Sequence, residues 1–142
     1  MSLARFKVPL ATISPQETVE QAARIMRDRG VGSLVVRDAG HLAGIITDRD
    51  LVVRVLAEGV DPTSARVGNF VTYGAITASV HEDLETAAER MRLHGIRRLP
   101  IVDDQGDAVG IVTADDLLVL LGRELSNVCD SIENRSDSSE SR

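Results

Sequence analysis

The sequence predicts an α/β (α+β) fold made of two tandem units, each with the order helix, strand, strand, helix. Three observations lead to this prediction. The chain matches itself at an offset of 65 to 66 residues, apolar residues in each half recur first at helical and then at strand spacing, and a glycine-containing turn separates the two strands of each half. The length of 142 residues is enough for one compact body with a sizeable core.

The repeat starts near the N-terminus and covers most of the chain. Thr12 matches Thr77 at an offset of 65, and after one extra residue near Gln105 the offset becomes 66, so that Asp50 matches Asp116. Matches continue in register over about forty positions with one small gap, which is the signature of a duplicated supersecondary unit.

The first helix is predicted from apolar residues at helical spacing between Val19 and Met26. Thr18 and Gln21 have the spacing of a capping box at its start. Gly30 is placed to end the helix, where a left-handed conformation favours glycine.

The strands of the first unit follow that glycine. Ser33–Val36 and Leu42–Ile46 are predicted to form a hairpin around a turn at 38–41. The closing helix is predicted at 49–58, with Asp48 as its N-cap.

The second unit repeats this order after a short lead-in helix predicted at 67–72, whose counterpart before Thr12 is degenerate in sequence. Its elements are a helix at 86–93, strands at 99–102 and 108–112 around a turn at 103–106, and a last helix at 115–121. The predicted divisions are 8–64 for the first unit, 65–125 for the second, and 126–142 for a disordered, acidic, serine-rich tail. Both an inert solubilising role and a phosphorylated regulatory role stay open for this tail.

Composition narrows the class of protein. The formal net charge of −6 argues against nucleic-acid binding, and three aromatic residues give little support to base stacking. No apolar run approaches the ~20 residues of a membrane span, no signal peptide is evident, and a single cysteine, Cys129, fits a reducing compartment. We therefore expect a cytoplasmic protein.

Catalytic and metal signals are weak. Gly30-Val31-Gly32 resembles the start of a dinucleotide-binding motif, but the next glycine is absent, and neither a Walker-type loop nor a nucleophile elbow is found. The three histidines, His41, His81 and His94, and Cys129 lack the spacing of metal ligands. The sequence predicts no enzyme, no catalytic cofactor and no metal site.

Two copies of one motif carry a resemblance to a known family. They are Gly44–Leu51 and Gly110–Leu117, each reading Gly-hydrophobic-hydrophobic-Thr-x-x-Asp-Leu and each preceded by helix, glycine, strand and turn. Over about residues 10–121 the chain resembles a stand-alone tandem pair of CBS (cystathionine-beta-synthase-type) domains, also called a Bateman module.

This resemblance implies two units packed through their sheets around a pseudo-twofold axis, with two symmetry-related clefts. In the family such clefts commonly hold AMP, ADP, ATP, S-adenosylmethionine or related adenosine compounds, and two pairs usually form a disc-shaped homodimer. The final helices agree with dimerisation, because runs such as Leu117–Leu121 are apolar on more than one face.

The resemblance assigns candidate ligand-binding residues to each cleft. For the first cleft they are Thr12, Gly32, Ser33, Thr47, Arg49 and Asp50. For the second cleft they are Thr77, Arg97, Arg98, Thr113 and Asp116.

The Asp of each motif is expected to accept hydrogen bonds from the ribose hydroxyls, since a carboxylate has two acceptor oxygens. The alternative is that Asp50 and Asp116 only start helices. Thr47 and Thr113 fit either a phosphate or a helix cap. Thr12 and Thr77 match a family position near adenine and ribose, or are ordinary residues at strand ends.

Basic residues should make the two clefts differ. Arg49 has an acidic counterpart, Asp115, in the second motif, whereas Arg97 and Arg98 replace Gly32 and Ser33. The absent side chain at Gly32 is expected to leave room for a ring. The arginines suit phosphate oxygens, or one pairs with Asp115 or Glu124. Alternation along a strand predicts that at most one of the two faces a given cleft.

The predicted function is therefore a sensor that binds an adenosine nucleotide (AMP, ADP or ATP; less so S-adenosylmethionine or NAD) and signals through an unidentified protein partner. The alternative is a dimeric structural or interaction scaffold whose clefts no longer bind ligand.

Overall fold

The structure is a computed structural model that describes residues 1–139, with side-chain exposure described as far as residue 135. In chain order its first elements are β1 (Thr12–Ile13), α1 (Val19–Arg29), β2 (Ser33–Asp38), β3 (His41–Thr47) and α2 (Asp48–Asp50), which continues as a π-helical segment (Leu51–Leu56). They are followed by β4 (Thr72–Tyr73), β5 (Ala78–Ser79), α3 (Leu84–His94), β6 (Arg98–Val102), β7 (Ala108–Thr113) and α4 (Ala114–Ser139).

The strands form two sheets of matching topology, one for each unit. The first has the order β1-β2-β3-β4 and the second the order β5-β6-β7. In each sheet a parallel pair is followed by an antiparallel hairpin, β2-β3 or β6-β7. This confirms the predicted class of two helix-strand-strand-helix units.

The caps of the first helices form as the sequence predicts. The Thr18 hydroxyl accepts from the Gln21 amide at 3.2 Å, and the Gln21 side chain accepts from the Thr18 amide at 2.8 Å, which completes a capping box. Gly30 ends α1 with φ +64°, and Gly95 ends α3 with φ +61°. Asp83 caps α3 in the position that Thr18 holds for α1.

The lead-in segments of the two repeats are exchanged between the units. The second repeat's lead-in, a 3₁₀ helix at Val67–Asn69 followed by β4, pairs with β3 of the first unit and contributes Val67 and Val71 to its core. The first repeat's lead-in, a 3₁₀ helix at Leu3–Phe6, places Leu3 in the core of the second unit. The predicted division between residues 64 and 65 stays a prediction. It separates the two sequence repeats, whereas each lead-in segment packs against the other repeat.

The exchange explains why each motif begins with glycine. A Cβ built on Gly44 would lie 2.1 Å from the Thr72 carbonyl oxygen, and one built on Gly110 would lie 2.1 Å from the Phe6 carbonyl oxygen. Backbone therefore passes directly over both glycines, and a larger residue would displace the crossing segment.

Two aliphatic cores result. One gathers Ile13, Val19, Met26, Leu34 and Ile46, and the other their repeat counterparts Ala78, Leu84, Met91, Leu99 and Val112. Met26 and Met91 are each 7% exposed, as expected of core residues.

The helices that close the units differ from the prediction. Thr47, and not Asp48, caps α2, because its hydroxyl accepts from the Asp50 amide. The last helix does not end near Leu121 but continues to Ser139. The prediction of a disordered tail is therefore wrong for 126–139, where apolar residues at helical spacing continue through Leu125, Val128 and Ile132; residues 140–142 lie outside the described part of the chain.

Candidate ligand-binding site

A cavity of about 420 Å³ lies between the two units, within the size range of small-molecule sites. It is bounded by the start of α2, by the segment joining β4 to β5, and by the start of β6. Its lining residues are Ile45, Thr47, Arg49, Asp50, Thr72, Gly74, Ala75, Ile76, Gly95, Ile96, Arg97, Arg98 and Pro100.

One wall is the Thr47–Asp50 motif, whose local geometry is fixed by a capping box. The Thr47 amide donates to Asp50 Oδ2 at 2.8 Å, the Thr47 hydroxyl donates to the same oxygen at 3.0 Å, and the Asp50 amide donates to Thr47 Oγ1 at 3.2 Å. Among residues 1–139, Asp50 Oδ1 accepts no hydrogen bond. The carboxylate thus has one oxygen held by the helix start and one available to a ligand hydroxyl.

The same cavity is strongly basic on one side. Arg49, Arg97 and Arg98 line it together with the single carboxylate of Asp50. Three guanidinium groups and one carboxylate make the lining itself positive, while Asp48 and Asp115 outside the lining pair with two of the arginines and the whole chain carries −6. Guanidinium groups present planar forks of donors that match phosphate oxygens.

Both arginines of the β6 entry are also engaged in ion pairs. Arg97 Nη2 lies 3.2 Å from Asp115 Oδ1, as the sequence alternative foresaw, and both side chains are mostly exposed. Arg98 Nη1 lies 3.9 Å from Asp48 Oδ1 and is about one-third exposed. Exposed pairs of this kind contribute little free energy, so a phosphate can compete for either arginine at small cost.

The remaining walls are apolar and made without aromatic rings. The apolar side chains around the cavity are Ile45, Ile76, Ile96 and Pro100. Gly74 and Ala75 add little side-chain volume at its rim. A flat heterocycle held here would pack against branched aliphatic carbon and would not stack on an aromatic ring.

Comparison with known proteins agrees with this geometry. The CBS domain family model matches residues 6–57 and 67–123. The chain belongs to the CBS domain family.

Two curated relatives match about three quarters of this chain. The CBS pair is 40% identical over 110 residues to the CBS domain-containing protein YhcV of Bacillus subtilis, which covers 78% of this chain and 77% of that protein. It is 42% identical over 108 residues to an uncharacterised protein of Methanopyrus kandleri, MK0525, which covers 75% of this chain but only 55% of that protein.

Solved structures share the fold over most of the CBS pair. The CBS domain pair of protein MJ0100, solved with 5′-methylthioadenosine and S-adenosylmethionine, superposes with a TM-score of 0.78 at 28% identity, covering 87% of this chain and 98% of that one. The CBS domain protein PAE2072 of Pyrobaculum aerophilum, solved with AMP, superposes with a TM-score of 0.73 at 24% identity, covering 82% and 90%. No helix within residues 1–139 is long and apolar enough to cross a membrane.

The cavities of this CBS pair group the predicted residues differently from the sequence assignment. Arg97 and Arg98 were assigned to the second cleft, but they line the 420 Å³ cavity between the units, beside Thr47, Arg49 and Asp50. The prediction that only one of these arginines faces a given cleft is wrong, because β6 begins at Arg98 and the alternation of a strand does not extend back to Arg97.

The second motif forms the same cap with a different setting. The Thr113 amide donates to Asp116 Oδ2 at 2.9 Å, and the Asp116 amide donates to Thr113 Oγ1 at 3.0 Å. Thr113 lines a smaller hollow of about 160 Å³ with Arg97, Arg98 and Asp115. Asp116 lines another hollow, of about 280 Å³, on the side of α4.

Six predicted residues lie outside the lining of the 420 Å³ cavity: Thr113 and Asp116, described above, and also Thr12, Thr77, Gly32 and Ser33. Thr12 is exposed in β1 and pairs with Val35, and Thr77 precedes β5 next to the lining residue Ile76. Gly32 and Ser33 lie at the start of β2.

The space beside Gly32 is not open. A Cβ there would lie 2.7 Å from Arg98 Nη2 and 2.9 Å from Asp48 Oδ2, so the missing side chain makes room for the Arg98 guanidinium and not for a ring.

Sequence reasoning missed the lining residues Thr72, Gly74, Ala75, Ile76, Gly95 and Ile96. These positions carry no motif of their own, because they contribute backbone and aliphatic surface. The repeat could have indicated Gly95 and Ile96, because it aligns residues 95–98 with residues 30–33, which lead into the first strand of the hairpin in the first unit.

A larger hollow of about 530 Å³ lies elsewhere on the first unit. Its lining is Pro15, Gln16, Arg66, Gly68, Asn69 and Tyr73. It is shallower than the inter-unit cavity, and it has one cation and no carboxylate. The inter-unit cavity is the better candidate because charge, ribose acceptor and apolar walls converge there.

Proposed function

We propose that this CBS pair is a regulatory module that binds an adenosine nucleotide (AMP, ADP or ATP) in the cavity between its units. The observation that carries the proposal is the convergence of Asp50 with Arg49, Arg97 and Arg98 around aliphatic walls. A carboxylate oxygen suits the ribose hydroxyls, the guanidinium groups suit phosphates, and the isoleucines suit the purine. The methylthioadenosine, S-adenosylmethionine and AMP in the two structural neighbours support an adenosine ligand.

The arginines favour a phosphorylated ligand over S-adenosylmethionine as the physiological one. S-adenosylmethionine carries a sulfonium cation, which three guanidinium groups would repel, whereas a phosphate chain would be attracted. We propose no reaction for the bound nucleotide.

The regulatory signal would arise because the two sides of the cavity belong to different units. The Asp50 side comes from the first unit and the Arg98 side from the second, so a bound nucleotide favours the relative arrangement in which both reach it. A separate protein would read this arrangement. We also propose a homodimer, because the helices that close both units expose apolar side chains, among them Val52 at 56% and Leu56 at 75%.

Calorimetry and thermal unfolding with AMP, ADP, ATP, S-adenosylmethionine, 5′-methylthioadenosine, NAD and GTP test the binding. At about a hundred times its Kd a ligand stabilises the folded state by ~2.7 kcal/mol, which raises Tm by several degrees in a domain of this size. We expect this for adenosine nucleotides and not for GTP.

Asp50→Asn is the informative variant. Asparagine keeps a side-chain oxygen that can accept the Thr47 amide, so the capping box can persist while the ribose acceptor loses its charge. Asp116→Asn is its matched control, since it alters the same cap in the second unit. Binding that weakens in neither variant would show that the cavity around Asp50 is not the site.

A second candidate function is a scaffold whose clefts bind nothing. It is favoured by one observation: capping boxes account for the Thr-x-x-Asp pattern of both motifs without any ligand. If no adenosine compound at millimolar concentration changes Tm or releases heat, and Asp50→Asn leaves binding to a protein partner unchanged, this second function is the correct one.

A further inference from the structure

Helix α4 continues well past the second CBS unit. The family match ends at residue 123, but the helix runs to Ser139. Near its start Leu117 and Leu120 are each 8% exposed and face the unit. From Leu121 to Arg135 every residue is exposed.

An apolar stripe begins on the outer side of α4 within the second unit and continues along the extension, made of Leu118, Leu121, Leu125, Val128 and Ile132. The spacing along the stripe is three, four, three and four residues, an average of 3.5. That period keeps a stripe facing a second helix that winds around the first, and it is the a/d pattern of a coiled coil. Each of the five side chains is between 56% and 66% exposed.

Within the span of the stripe most charges lie off it, and Arg123 and Asp130 are on the opposite side of the helix. Arg135 takes the next position of the same spacing, so the apolar stripe ends at Ile132. The positions that flank the stripe hold small or neutral residues except for one acid, and they are Gly122, Glu124, Cys129 and Ser131. Two identical helices can therefore approach along the stripe with little repulsion between like charges.

We propose that the α4 stripe packs against the α4 stripe of a second copy of this chain and forms a short coiled coil beyond the CBS units. A second copy is the occupant that the surface favours, because a two-fold pair sets one patch against itself, and this patch is apolar in its centre and nearly uncharged at its flanks. Isolated helices of about 12–15 residues are marginal in water, so the extension gains its stability from this pairing. The inference is independent of nucleotide binding.

The pairing is separable from a dimer formed by the CBS units. Val52→Asp with Leu56→Asp places charges on the exposed face of the first unit's closing helix and leaves α4 unchanged. The test is carried out on the full chain, in wild type and in this background, by light scattering after size exclusion and by sedimentation at several concentrations.

Leu125→Asp with Val128→Asp is the test variant. Both residues are exposed in the single chain, so folding of the units should persist, which thermal unfolding of the variant checks. Ser126→Asp with Asn127→Asp is the matched control, because it adds the same charge to the same turns but off the stripe.

In the Val52→Asp, Leu56→Asp background, called the parent here, we expect the control to associate as tightly as the parent. The test variant should associate at least about 100-fold more weakly, because each added charge would be buried between two apolar surfaces. Leu125→Ala with Val128→Ala should weaken association without adding charge. A parent that stays monomeric when the unit face is substituted, or a test variant that associates as tightly as the control, would overturn the proposal. A monomeric chain that instead captures an unrelated apolar helix would overturn it as well.

Discussion

Replacing Gly44 with alanine tests the exchange of lead-in segments most directly. The added Cβ would lie 2.1 Å from the Thr72 carbonyl oxygen, 2.8 Å from Val71 Cγ2 and 2.9 Å from the Thr72 carbonyl carbon. Real Cβ atoms essentially never approach other atoms closer than 3.0 Å, so β4 must move away from β3 by roughly 1 Å. Gly44 does not have a positive φ, so the clash is the only penalty that the structure shows.

The magnitude follows from what that movement disturbs. Overpacking costs typically about 1–3 kcal/mol, and loosening the short β3–β4 pairing removes hydrogen bonds worth about 1 kcal/mol each. Val71, 6% exposed, would lose part of its burial as well. We therefore expect Gly44→Ala to lower the free energy of unfolding by about 2–4 kcal/mol.

Urea unfolding followed by far-UV circular dichroism measures this difference. Gly122→Ala is the control, because its Cβ would meet no atom within 4 Å and alanine is the better helix former by about 0.5–1 kcal/mol. The two alanines should thus change stability in opposite directions. A Gly44→Ala protein as stable as wild type would refute the crossing of β4 over Gly44.

Three further predictions concern individual side chains. The Arg90 guanidinium holds the pKa of the Glu82 carboxyl below its ordinary value of 4.5. The ionised Glu82 carboxylate therefore stabilises the fold above that pH, and this contribution is lost as pH falls through the lowered pKa. Glu82→Gln should flatten the pH dependence of the unfolding free energy in acid, and an unchanged acid profile would contradict this. Thr47→Ala should cost about 1 kcal/mol by removing the cap of α2, with Thr47→Ser restoring most of it in the same urea assay. Arg98→Gln should weaken ATP binding and reduce its salt dependence while leaving adenosine binding nearly unchanged, and an equal loss for both ligands would place Arg98 away from the phosphates.

Much of each unit was predictable because its signals are local. Apolar spacing, the Thr18–Gln21 box and the helix-ending glycines act within a few residues, and they fix α1 and the first hairpin. The order of elements in the second unit then follows from the repeat. Thr47 as the cap in place of Asp48 is a near miss of the same kind, since both are good N-cap residues and only the backbone conformation distinguishes them.

The arrangement between units was not predictable from local signals. The repeat shows that the segment 67–73 corresponds to the N-terminus, but it does not tell which sheet either segment joins. Motif matching alone therefore did not predict that Asp50 and Arg98 line the same inter-unit cavity. The end of α4 was missed for a different reason: serine and acidic residues in 126–139 indicated disorder, although Leu125, Val128 and Ile132 continue the spacing of Leu118 and Leu121.

The crossed lead-in segments have a consequence for how such a chain could be divided or arise. A fragment ending near residue 64 would lack Val67, Val71 and β4, and would leave the edge of β3 and part of its core uncovered. A polypeptide with only one repeat could complete its sheet only by exchanging lead-ins with another molecule, as a domain-swapped dimer. Tandem duplication makes that exchange intramolecular, at the high effective concentration that a short connection provides. Each half thus folds to completion only in the presence of the other.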